Sequence, residues 1–455
     1  MGLNHKAYER FLHCPGDSMK VLMVGGGARE QCIASKLVED GAEIYTVMKN
    51  KNPGLAELST DVLLAPDTDV HKIVGWAAEQ GIQMAVIGPE APLEQGIVDE
   101  LENMGIPSVG PNKSCARLET SKSFTRNLLE KYDIPGNPKY RVFTDQEGMG
   151  DFLSELGEFV IKDEGLAGGK GVKLSGEHLA NVDEGVEYAM SCIHKSGAVV
   201  IEEKFVGEEF SLQCLTDGET VIGSPLAQDH KRLLEGDKGP NTGGMGSYSD
   251  SNHLLPFLSQ EDYDAALEIT QRVCHALKQE CGIPYKGVMY GGFIATKDGV
   301  RLVEYNARYG DPEVMNILPL LESSLLDAFK AIVEGNLADV QFKWSQKATV
   351  CKYVVPVGYG VKSEGGHPLE VDETAIQNAG AKLFYASVDL REDGLYTGTS
   401  RSLAVVGIGD NLSEAEEKAE KALQHVKGHV FMRHDIGTPE AIERKISRLK
   451  SMRGY

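Results

Sequence analysis

The segment FVIKDEGLAGGKGV, residues 159–172, holds two strand-like runs on either side of a turn that contains four glycines. Lys162 lies inside the first apolar run, where a lysine requires an anionic partner. Backbone amides in a glycine turn can approach phosphate oxygens closely because no side chain stands in the way. The pattern predicts a strand, a phosphate-binding loop and a second strand. A flexible hairpin is the alternative, and the GxxxxGK[ST] pattern of a P-loop is absent.

The run IEEKFVGEE, residues 201–209, places acidic side chains at both ends of a short strand and its loop. Glu202 and Glu209 could bind a nucleoside through the amino group of its base and the hydroxyls of its ribose. An acidic run on the protein surface would explain the same letters, so this segment indicates a nucleotide only together with its neighbours.

In LVEYNARYGDPEV, residues 302–314, polar side chains alternate with apolar ones. If the segment is a strand, Glu304, Asn306 and Arg308 face one side, and Val303 and Tyr305 face the other. A carboxylate, an amide oxygen and a guanidinium on one face suit Mg²⁺ and phosphate oxygens. The alternative is a half-exposed strand with a polar outer face.

The segment DHKRLLEGDKGPNTGGMGSYSD, residues 229–250, carries so much charge and glycine that it can hardly form a core helix or a central strand. We therefore expect a loop. Small residues in such a loop leave room around crowded anions.

Toward the N-terminus, MKVLMVGGGARE, residues 19–30, reads as a buried strand, a glycine turn and a helix start, and further strand–helix alternation follows. This alternation predicts a doubly wound parallel sheet. The unpaired amides of the turn at Gly25, Gly26 and Gly27, together with the helix dipole, favour an anion, and we expect a phosphate there. Glu30 replaces the third glycine of GxGxxG, so a nicotinamide site is a weaker alternative.

The C-terminal part returns to short strands, TVCKYVVPVG and SLAVVGIG, followed by the helix SEAEEKAEKALQHV, for which Ser413 is the N-cap candidate and Glu417 and Lys421 form an i,i+4 pair. His425, His429 and His434 could be imagined as zinc ligands, but no fourth ligand is evident. The predicted divisions are an extension without fixed structure over 1–18, an N-terminal domain over 19–120, a central α+β domain over 121–344 with a mobile glycine-loop lobe at about 140–206, and a C-terminal domain over 345–455.

Composition narrows the partners and the location. The 455 residues carry 46 Lys plus Arg against 68 Asp plus Glu, a net charge of −22, which argues against binding nucleic acid. Eight scattered cysteines without a CxxC pair indicate reduced thiols and a cytoplasmic protein. No apolar run approaches the roughly 20 residues needed to span a bilayer, so no membrane partner is expected.

Taken in this order, these segments resemble the ATP-grasp superfamily, and within it the phosphoribosylamine–glycine ligase family. RYGDPE, DHKR and GPNTGGMG are close to that family's signatures, and GTSRSLAVVGIGDNLSEAEEKA resembles its C-terminal tail. The resemblance covers residues 19–455. It implies an α/β protein with an N-terminal doubly wound parallel sheet, a central ATP-grasp α+β fold and a small C-terminal α/β domain.

The resemblance also implies a reaction: ATP-dependent ligation of glycine to 5-phosphoribosylamine through glycyl phosphate, in purine biosynthesis. The implied cofactors are ATP and Mg²⁺ or Mn²⁺, and the implied assembly is a monomer or a weak homodimer. No covalent nucleophile is nominated, since positioning and charge suffice for both steps. Another ATP-dependent ligase or carboxylase of purine synthesis, and an inactive nucleotide-binding regulator, are the rival interpretations.

Carried over position by position, the resemblance assigns roles to individual residues. The ATP contacts are Lys122, Lys162, Gly168, Gly169, Lys170, Gly171, Glu202, Glu203, Phe205, Val206 and Glu209. The substrate contacts are Gly25, Gly26, Gly27, Glu90, Asp229, His230, Asn241, Thr242, Gly243, Gly244 and Met245. The catalytic residues are Asp229, Lys231, Arg308 and Asp311, and the metal ligands are Glu304 and Asn306.

Three departures from the family pattern affect these expectations. Gln31 stands where the family has the histidine of GGREH, and KNPG at 51–54 replaces its PGN. Both departures concern recognition of the ribosyl substrate. Gly292 occupies the position of an acidic metal ligand that many ATP-grasp enzymes have, so a second metal would rely on Glu304 and the phosphates.

Overall fold

The computed structural model describes residues 18–166 and 171–454. The predicted N-terminal extension, apart from Ser18, lies outside the described residues, and so do Gly168, Gly169 and Lys170 of the glycine turn. Within the described ranges, no helix is both long and apolar enough to cross a membrane.

The N-terminal domain is built on a five-stranded parallel sheet. Val21 to Val24 are fully buried, as expected for a strand that is covered by helices on both faces. The strands are β1 (Lys20–Val24), β2 (Glu43–Met48), β3 (Ser59–Leu64), β4 (Met84–Ile87) and β5 (Ser108–Val109). Their order, β3-β2-β1-β4-β5, confirms the predicted doubly wound sheet.

Six helices flank this sheet. They are α1 (Ala28–Glu39), α2 (Pro53–Leu58), α3 (Val70–Gln80), α4 (Glu90–Glu94), α5 (Ile97–Asn103) and α6 (Lys113–Thr120). Asn112 caps α6 by accepting a hydrogen bond from the Cys115 amide at 3.0 Å.

The glycine-loop lobe follows α7 (Lys122–Lys131) and forms a separate antiparallel sheet. Its elements are β6 (Tyr140–Phe143), α8 (Met149–Leu156), β7 (Phe159–Asp163), β8 (Val172–Leu174), α9 (Val182–Ser196) and β9 (Val199–Glu203), with sheet order β6-β9-β7-β8. The lobe has its own hydrophobic core, which includes Phe152, Phe159 and Ile201. A separate core is what a lobe that moves as a unit requires, although its motion stays a prediction.

The rest of the central segment contains a second antiparallel sheet. Its elements are β10 (Glu208–Thr216), β11 (Val221–Gly223), β12 (Gln228–Asp229), β13 (Arg232–Leu234), β14 (Lys238–Asn241), β15 (Gly246–Ser249), α10 (Gln260–Cys281), β16 (Gly287–Thr296), β17 (Gly299–Asn306), α11 (Val314–Ile317) and α12 (Leu325–Glu334). The sheet order is β11-β10-β16-β17, and β13 pairs with β14. Short 3₁₀ turns span Leu318–Leu320 and Leu337–Asp339. Residues 229–250, which were expected to form a loop, instead contain a hairpin (Arg232–Leu234 with Lys238–Asn241) and the buried strand Gly246–Ser249, which pairs on both sides, so that expectation is wrong.

The C-terminal domain continues with β18 (Ala348–Pro356), β19 (Leu369–Val371), α13 (Glu373–Asn378), β20 (Ala381–Tyr385), β21 (Val388–Arg391), β22 (Gly394–Thr397), β23 (Leu403–Gly409), α14 (Leu412–Leu423), β24 (Val426–Gly428), β25 (Val430–Met432) and α15 (Pro439–Arg453). Its sheet has the order β12-β15-β18-β23-β20, with β25 on β18. Two strands of the central segment therefore complete the C-terminal sheet, and one continuous apolar core joins the N-terminal, central and C-terminal parts.

The N-cap of α14 differs from the prediction. Asn411, and not Ser413, caps the helix, because α14 begins at Leu412 and the Asn411 side chain accepts from the Glu414 amide at 3.0 Å. The predicted pair between Glu417 and Lys421 is confirmed at 2.7 Å.

Candidate active site

A deep cleft lies where the N-terminal domain, the lobe, the central sheet and the C-terminal domain meet. It encloses about 1120 Å³, enough for a nucleotide and a second small molecule. Most of the predicted site residues line it: Glu90, Lys122, Lys162, Gly171, Glu202, Glu203, Phe205, Val206, Glu209, Asp229, His230, Lys231, Asn241, Thr242, Gly243, Glu304, Asn306, Arg308 and Asp311.

The lobe side of the cleft is organised around a buried carboxylate. Glu202 forms ion pairs with Lys162 and with Arg126, whose Nε lies 2.7 Å from Glu202 Oε2. Burial raises the pKa of Glu202, but the charges of Arg126 and Lys162 outweigh burial and hold that pKa below its usual value. Lys162 thus has the anionic partner that its position in an apolar strand required. Lys122 reaches across to the Gly165 carbonyl at 2.5 Å.

Strand β17 departs from the alternation predicted for it. Its register shifts where Gly292 faces Glu304 and Phe293 faces Leu302, which leaves Val303 as the extra residue of a β-bulge. The Val303 carbonyl accepts from Lys162 Nζ at 2.8 Å and from Arg126 Nη2 at 2.7 Å. The bulge breaks the predicted period of two at Val303, which lines the cleft together with Glu304 and Tyr305.

Glu209, Asp229, Lys231 and Glu304 converge in the middle of the cleft and are called the Lys231 cluster. Lys231 Nζ lies 3.6 Å from Glu304 Oε1 and 3.8 Å from Glu209 Oε2, beyond hydrogen-bond length. The Lys231 and Glu304 side chains are 39% and 37% exposed, so they face open space.

The charges of this cluster shift each other's pKa values. Burial lowers the pKa of Lys231, but Glu304 and Glu209 raise it above its usual value. Burial raises the pKa of Glu304, but Lys231 and Lys162 bring it below its usual value. Both groups are therefore ionised at neutral pH.

Asp229 is the least satisfied acid of the cluster. Its Oδ1 is buried and has no hydrogen-bond partner among the residues that the structure describes. Burial, and then the negative charge of Glu313, raise the pKa of Asp229 well above its usual value. Only a glycine at position 244 can pack this closely against Asp229, because a Cβ there would lie 2.7 Å from Asp229 Oδ1. A buried carboxyl oxygen without a partner is suited to an added cation or ammonium group.

The glycine-rich loop at residues 242–245 lies beside the Lys231 cluster, and hydrogen bonds from the C-terminal domain hold it in place. Arg401 donates to the Gly243 carbonyl at 2.7 Å and to the Gly244 carbonyl at 3.1 Å, and its Nη2 lies 3.2 Å from Asp311 Oδ2. Tyr353 donates to the other Asp311 oxygen at 2.6 Å. Arg401 was not predicted for the site, although GTSR was part of the tail that carried the family resemblance.

Three residues of the segment 229–250 do not have the positions expected of substrate contacts, and the first of them, Gly244, does not line the cleft. Met245 is fully buried and does not line the cleft, because its backbone pairs with His230 and Tyr353 on the C-terminal sheet. His230 borders the cleft, but it is 2% exposed and its ring packs against Tyr248. Burial lowers the pKa of His230 to about 3, so its imidazole is neutral.

At the N-terminal end of the cleft, charged side chains form close pairs that are called the Arg308 cluster: Arg29, Glu30, Glu90, Glu119 and Arg308. Arg308 lies beyond the end of β17, so the strand itself does not orient it. Its guanidinium lies 2.8 Å from Glu119 and 3.2 Å from Glu90, and Arg29 lies 2.6 Å from Glu30.

The turn at Gly25 to Gly27 does not line the cleft. The Gly27 amide donates to Glu30 Oε2 at 2.7 Å and the Gly25 amide to the Val47 carbonyl at 2.9 Å, so two of the three predicted anion donors are already bound. Glu30 also fills the space beside the turn, since a Cβ on Gly88 would lie 2.1 Å from Glu30 Oε1. Glu30 thus occupies the position at which the third glycine of the GxGxxG pattern would leave space for a dinucleotide.

The two departures near this turn serve a domain contact. Gln31 is buried, and its Oε1 accepts from the Tyr385 amide at 2.7 Å. Asn52, from the altered KNPG segment, donates to the Tyr385 carbonyl at 2.7 Å and to the Gly26 carbonyl at 3.1 Å. These side chains therefore join the N-terminal domain to β20.

The histidines of the zinc alternative do not gather. His434 contacts Glu420 at 2.6 Å, while His429 contacts Glu364 at 2.7 Å and packs against His367. Neither His425 nor His434 belongs to the group of metal-type side chains that the described residues contain.

Comparison with known proteins agrees with this architecture. Family models of phosphoribosylglycinamide synthetase match the N domain at 19–119, the ATP-grasp (A) domain at 120–314 and the C domain at 349–439. A phosphoribosylamine–glycine ligase of Methanothermobacter thermautotrophicus is 50% identical over 440 residues, 96% of this chain and 100% of the relative. One of Pyrococcus furiosus is 50% identical over 437 residues, 96% of this chain and 98% of the relative. The crystal structure of a phosphoribosylamine–glycine ligase from Thermotoga maritima superposes with a TM-score of 0.77 at 26% identity, covering 92% of this chain and 100% of that one.

Proposed function

The chain belongs to the phosphoribosylglycinamide synthetase family, and from that membership we infer that it is an ATP-dependent ligase that joins glycine to 5-phosphoribosylamine in purine biosynthesis. The products are glycinamide ribonucleotide, ADP and phosphate. This function is supported by the near full-length similarity to phosphoribosylamine–glycine ligases, together with one cleft that is lined by residues of the family-like motifs.

A carboxylate resists attack by an amine until one of its oxygens becomes a leaving group. We propose that the glycine carboxylate first attacks the γ-phosphorus of ATP, releasing ADP and forming glycyl phosphate. The amine of phosphoribosylamine then attacks the acyl carbon, and phosphate leaves with the oxygen that came from glycine. The protein positions the three reactants and offsets the negative charge on the transferring phosphoryl group.

In this proposal, the Lys231 cluster surrounds the reacting groups. Lys231 contacts the γ-phosphate, because it is held only loosely by its carboxylates and faces open space. Asp229 accepts a hydrogen bond from a substrate amine or ammonium, which supplies the partner that its Oδ1 lacks among the described side chains. Asn241 and the loop residues Thr242 and Gly243 enclose glycine, with Arg401 and Asp311 fixing the loop.

The donor set of the cluster fits a magnesium ion, with manganese as a substitute. Glu304 and Asn306 offer oxygen ligands, and Glu304 has no cation closer than Lys231 at 3.6 Å among the described residues. We propose that these two residues hold Mg²⁺, which when bound would neutralise phosphate charge. Gly292 lies opposite Glu304, so a second ion would depend on Glu304 and the phosphates.

The ATP site is proposed on the lobe side. Lys122 and Lys162 would hold phosphates, Glu202 and Glu209 the adenine and ribose, and Glu203, Phe205 and Val206 the edge of the base. Gly168, Gly169 and Lys170, together with Gly171, complete the proposed phosphate loop. Lys162 and Glu202 are already paired, which supports a preformed wall on this side of the cleft.

Phosphoribosylamine is proposed at the N-terminal end, with Glu90 on the ribose hydroxyls. Binding of the 5-phosphate at Gly25 to Gly27 stays a prediction. Because the Gly27 amide is bound by Glu30, the phosphate would have to use the Gly26 amide and a cation such as Arg29. The cytoplasm as location, the absence of nucleic-acid partners and a monomer or weak homodimer also stay proposals.

The test of this function is ADP release measured with each substrate omitted in turn. ADP formation that requires both glycine and phosphoribosylamine supports the proposal. Rapid ADP formation with bicarbonate and without glycine would instead indicate a carboxylase or another ligase of purine synthesis. No turnover with any substrate, in a chain that binds ATP, would indicate an inactive regulator.

A further inference from the structure

Glu364, His367 and His429 bring three metal-type ligand atoms together on the surface of the C-terminal domain. The ligand atoms lie within 4.8 Å of one another, His429 Nε2 is 2.7 Å from Glu364 Oε2, and the two imidazole rings are 4.6 Å apart between centroids. These residues belong to neither the Lys231 cluster nor the Arg308 cluster. We propose that they form a binding site for a divalent transition-metal ion such as Zn²⁺, separate from the magnesium site of the cleft.

The spacing of these ligand atoms suits a tetrahedral ion. Bonds of about 2.1 Å to nitrogen and oxygen place two tetrahedral ligands roughly 3.4 Å apart. His429 Nε2 and Glu364 Oε2 lie closer than this, at 2.7 Å, and all three ligand atoms lie within 4.8 Å of one another, so side-chain rotations would form the site. All three side chains are exposed, and solvent can supply the fourth ligand.

The backbone already holds the three residues in place. The Glu364 amide donates to the Val357 carbonyl at 2.8 Å, and the Val357 amide donates to the His429 carbonyl at 3.3 Å. His367 is fixed on its other side, where its carbonyl accepts from the Thr397 amide at 2.9 Å. A site whose ligands are ordered before binding loses less conformational entropy when the ion arrives.

The ligand types select the class of ion. Imidazole with one carboxylate suits zinc, cobalt, nickel or copper, whereas magnesium prefers an all-oxygen set. The two imidazoles at this surface therefore suit the ions that the oxygen ligands of Glu304 and Asn306 do not prefer. The site and the proposed magnesium site can be studied independently for this reason.

An ion here would also fasten a segment that borders the active site. Tyr359, Gly360, Val361 and Ser363 lie between β18 and Glu364 and line the cleft. The Tyr359 hydroxyl accepts from the Gly243 amide at 3.3 Å, at the glycine-rich loop. The ion would link Glu364 and His367, which follow this segment, to His429 in the turn between β24 and β25.

The test is calorimetric titration of Zn²⁺ into the full-length chain. The protein carries no affinity tag, has been treated with a chelator to remove bound metal, and is kept in excess Mg²⁺. The wild type is expected to bind one equivalent, and His367→Ala, His429→Ala and Glu364→Gln to weaken binding roughly tenfold or more. His434→Ala is the matched control, because His434 also pairs with a glutamate, Glu420, but lacks a third ligand. It should bind Zn²⁺ like the wild type.

Hydrogen exchange locates the ion independently of affinity and activity. Zn²⁺ is expected to slow exchange in residues 357–368 and 426–430 of the wild type and to have no effect there in His429→Ala. Circular dichroism would show that these surface variants remain folded. Equal Zn²⁺ affinity in wild type and all three variants, or slowed exchange only near His13 and Cys14 or at other cysteines, would overturn the proposal.

Discussion

The two clusters of the cleft hold their charges differently. In the Lys231 cluster, the amine stands 3.6 and 3.8 Å from its carboxylates and faces open space. In the Arg308 cluster, the guanidinium of Arg308 lies 2.8 Å from Glu119 and that of Arg29 lies 2.6 Å from Glu30. Loose pairs can exchange their partners for ligand charges, whereas close, buried pairs form a fixed wall. We therefore propose that the first cluster contacts the reacting groups and that the second positions the substrate.

The substitution Glu304→Gln is expected to have the largest effect on the Lys231 cluster. Loss of the carboxylate removes the proposed Mg²⁺ ligand and leaves Lys231 with one fewer counter-charge, so turnover should fall on the order of 10²-fold or more. Steady-state ADP release at saturating Mg²⁺ measures the effect. Glu268→Gln, an exposed position on α10, is the matched control and should leave turnover unchanged. Wild-type activity in Glu304→Gln would remove Glu304 from the site.

The corresponding change in the second cluster is Arg308→Lys. A lysine cannot contact Glu90 and Glu119 at once as the planar guanidinium does, so the wall should loosen. We expect kcat/KM for phosphoribosylamine to fall about tenfold to 100-fold, with the KM for ATP changed far less. Equal losses for both substrates would mean that the two clusters do not act separately.

Glu30→Gln probes whether the N-terminal turn binds the 5-phosphate. Glutamine can still accept from the Gly27 amide but removes a negative charge from the start of α1. If the 5-phosphate binds beside this turn, the KM for phosphoribosylamine should fall about two- to fivefold in this variant. That is the size of effect expected of one charge at a helix terminus. Substrate-dependence curves for phosphoribosylamine and ATP would be compared. An unchanged KM for phosphoribosylamine would place the phosphate elsewhere.

The last prediction concerns stability and not turnover, at His230, which lies between Asp229 and Lys231 in sequence but turns into the core. Its folded pKa of about 3 lies below the ordinary value of 6.5, so as pH falls from about 6.5 toward 3 only the unfolded chain gains this proton. The wild type should lose stability over this window, relative to His230→Gln, by up to about 1.4 kcal/mol per pH unit. Urea unfolding of both proteins at several pH values checks this, and parallel curves would contradict it.

Residues of the Lys231 cluster, and Lys162 and Asn306 beside them, carry local signals in the sequence. A lysine in an apolar strand, a carboxylate and an amide at alternate positions, and a charged glycine loop each point to anions or metal without knowledge of the fold. The family resemblance then implied that these residues lie in one active site. The structure brings Lys162, Lys231 and Glu304 to one cleft, as expected.

The Arg308 cluster was predicted less well, because its pairs depend on contacts between distant parts of the chain. Glu119 meets Arg308 across 189 positions, and Glu90 meets Arg308 across 218. No local pattern signals such contacts, and the glycine turn suggested a phosphate site without revealing that Glu30 folds back onto it. The bulge at Val303 was missed for a related reason, since alternation along one strand does not show where its neighbour shifts register.

The central claim is that glycine is activated by phosphorylation at the Lys231 cluster before the amine attacks. It is tested most directly by supplying glycine labelled with ¹⁸O in its carboxylate and analysing the phosphate released in one turnover. One ¹⁸O atom is expected in each phosphate, because the oxygen that attacks the γ-phosphorus leaves with it. Phosphate free of label, with glycinamide ribonucleotide still formed, would contradict it.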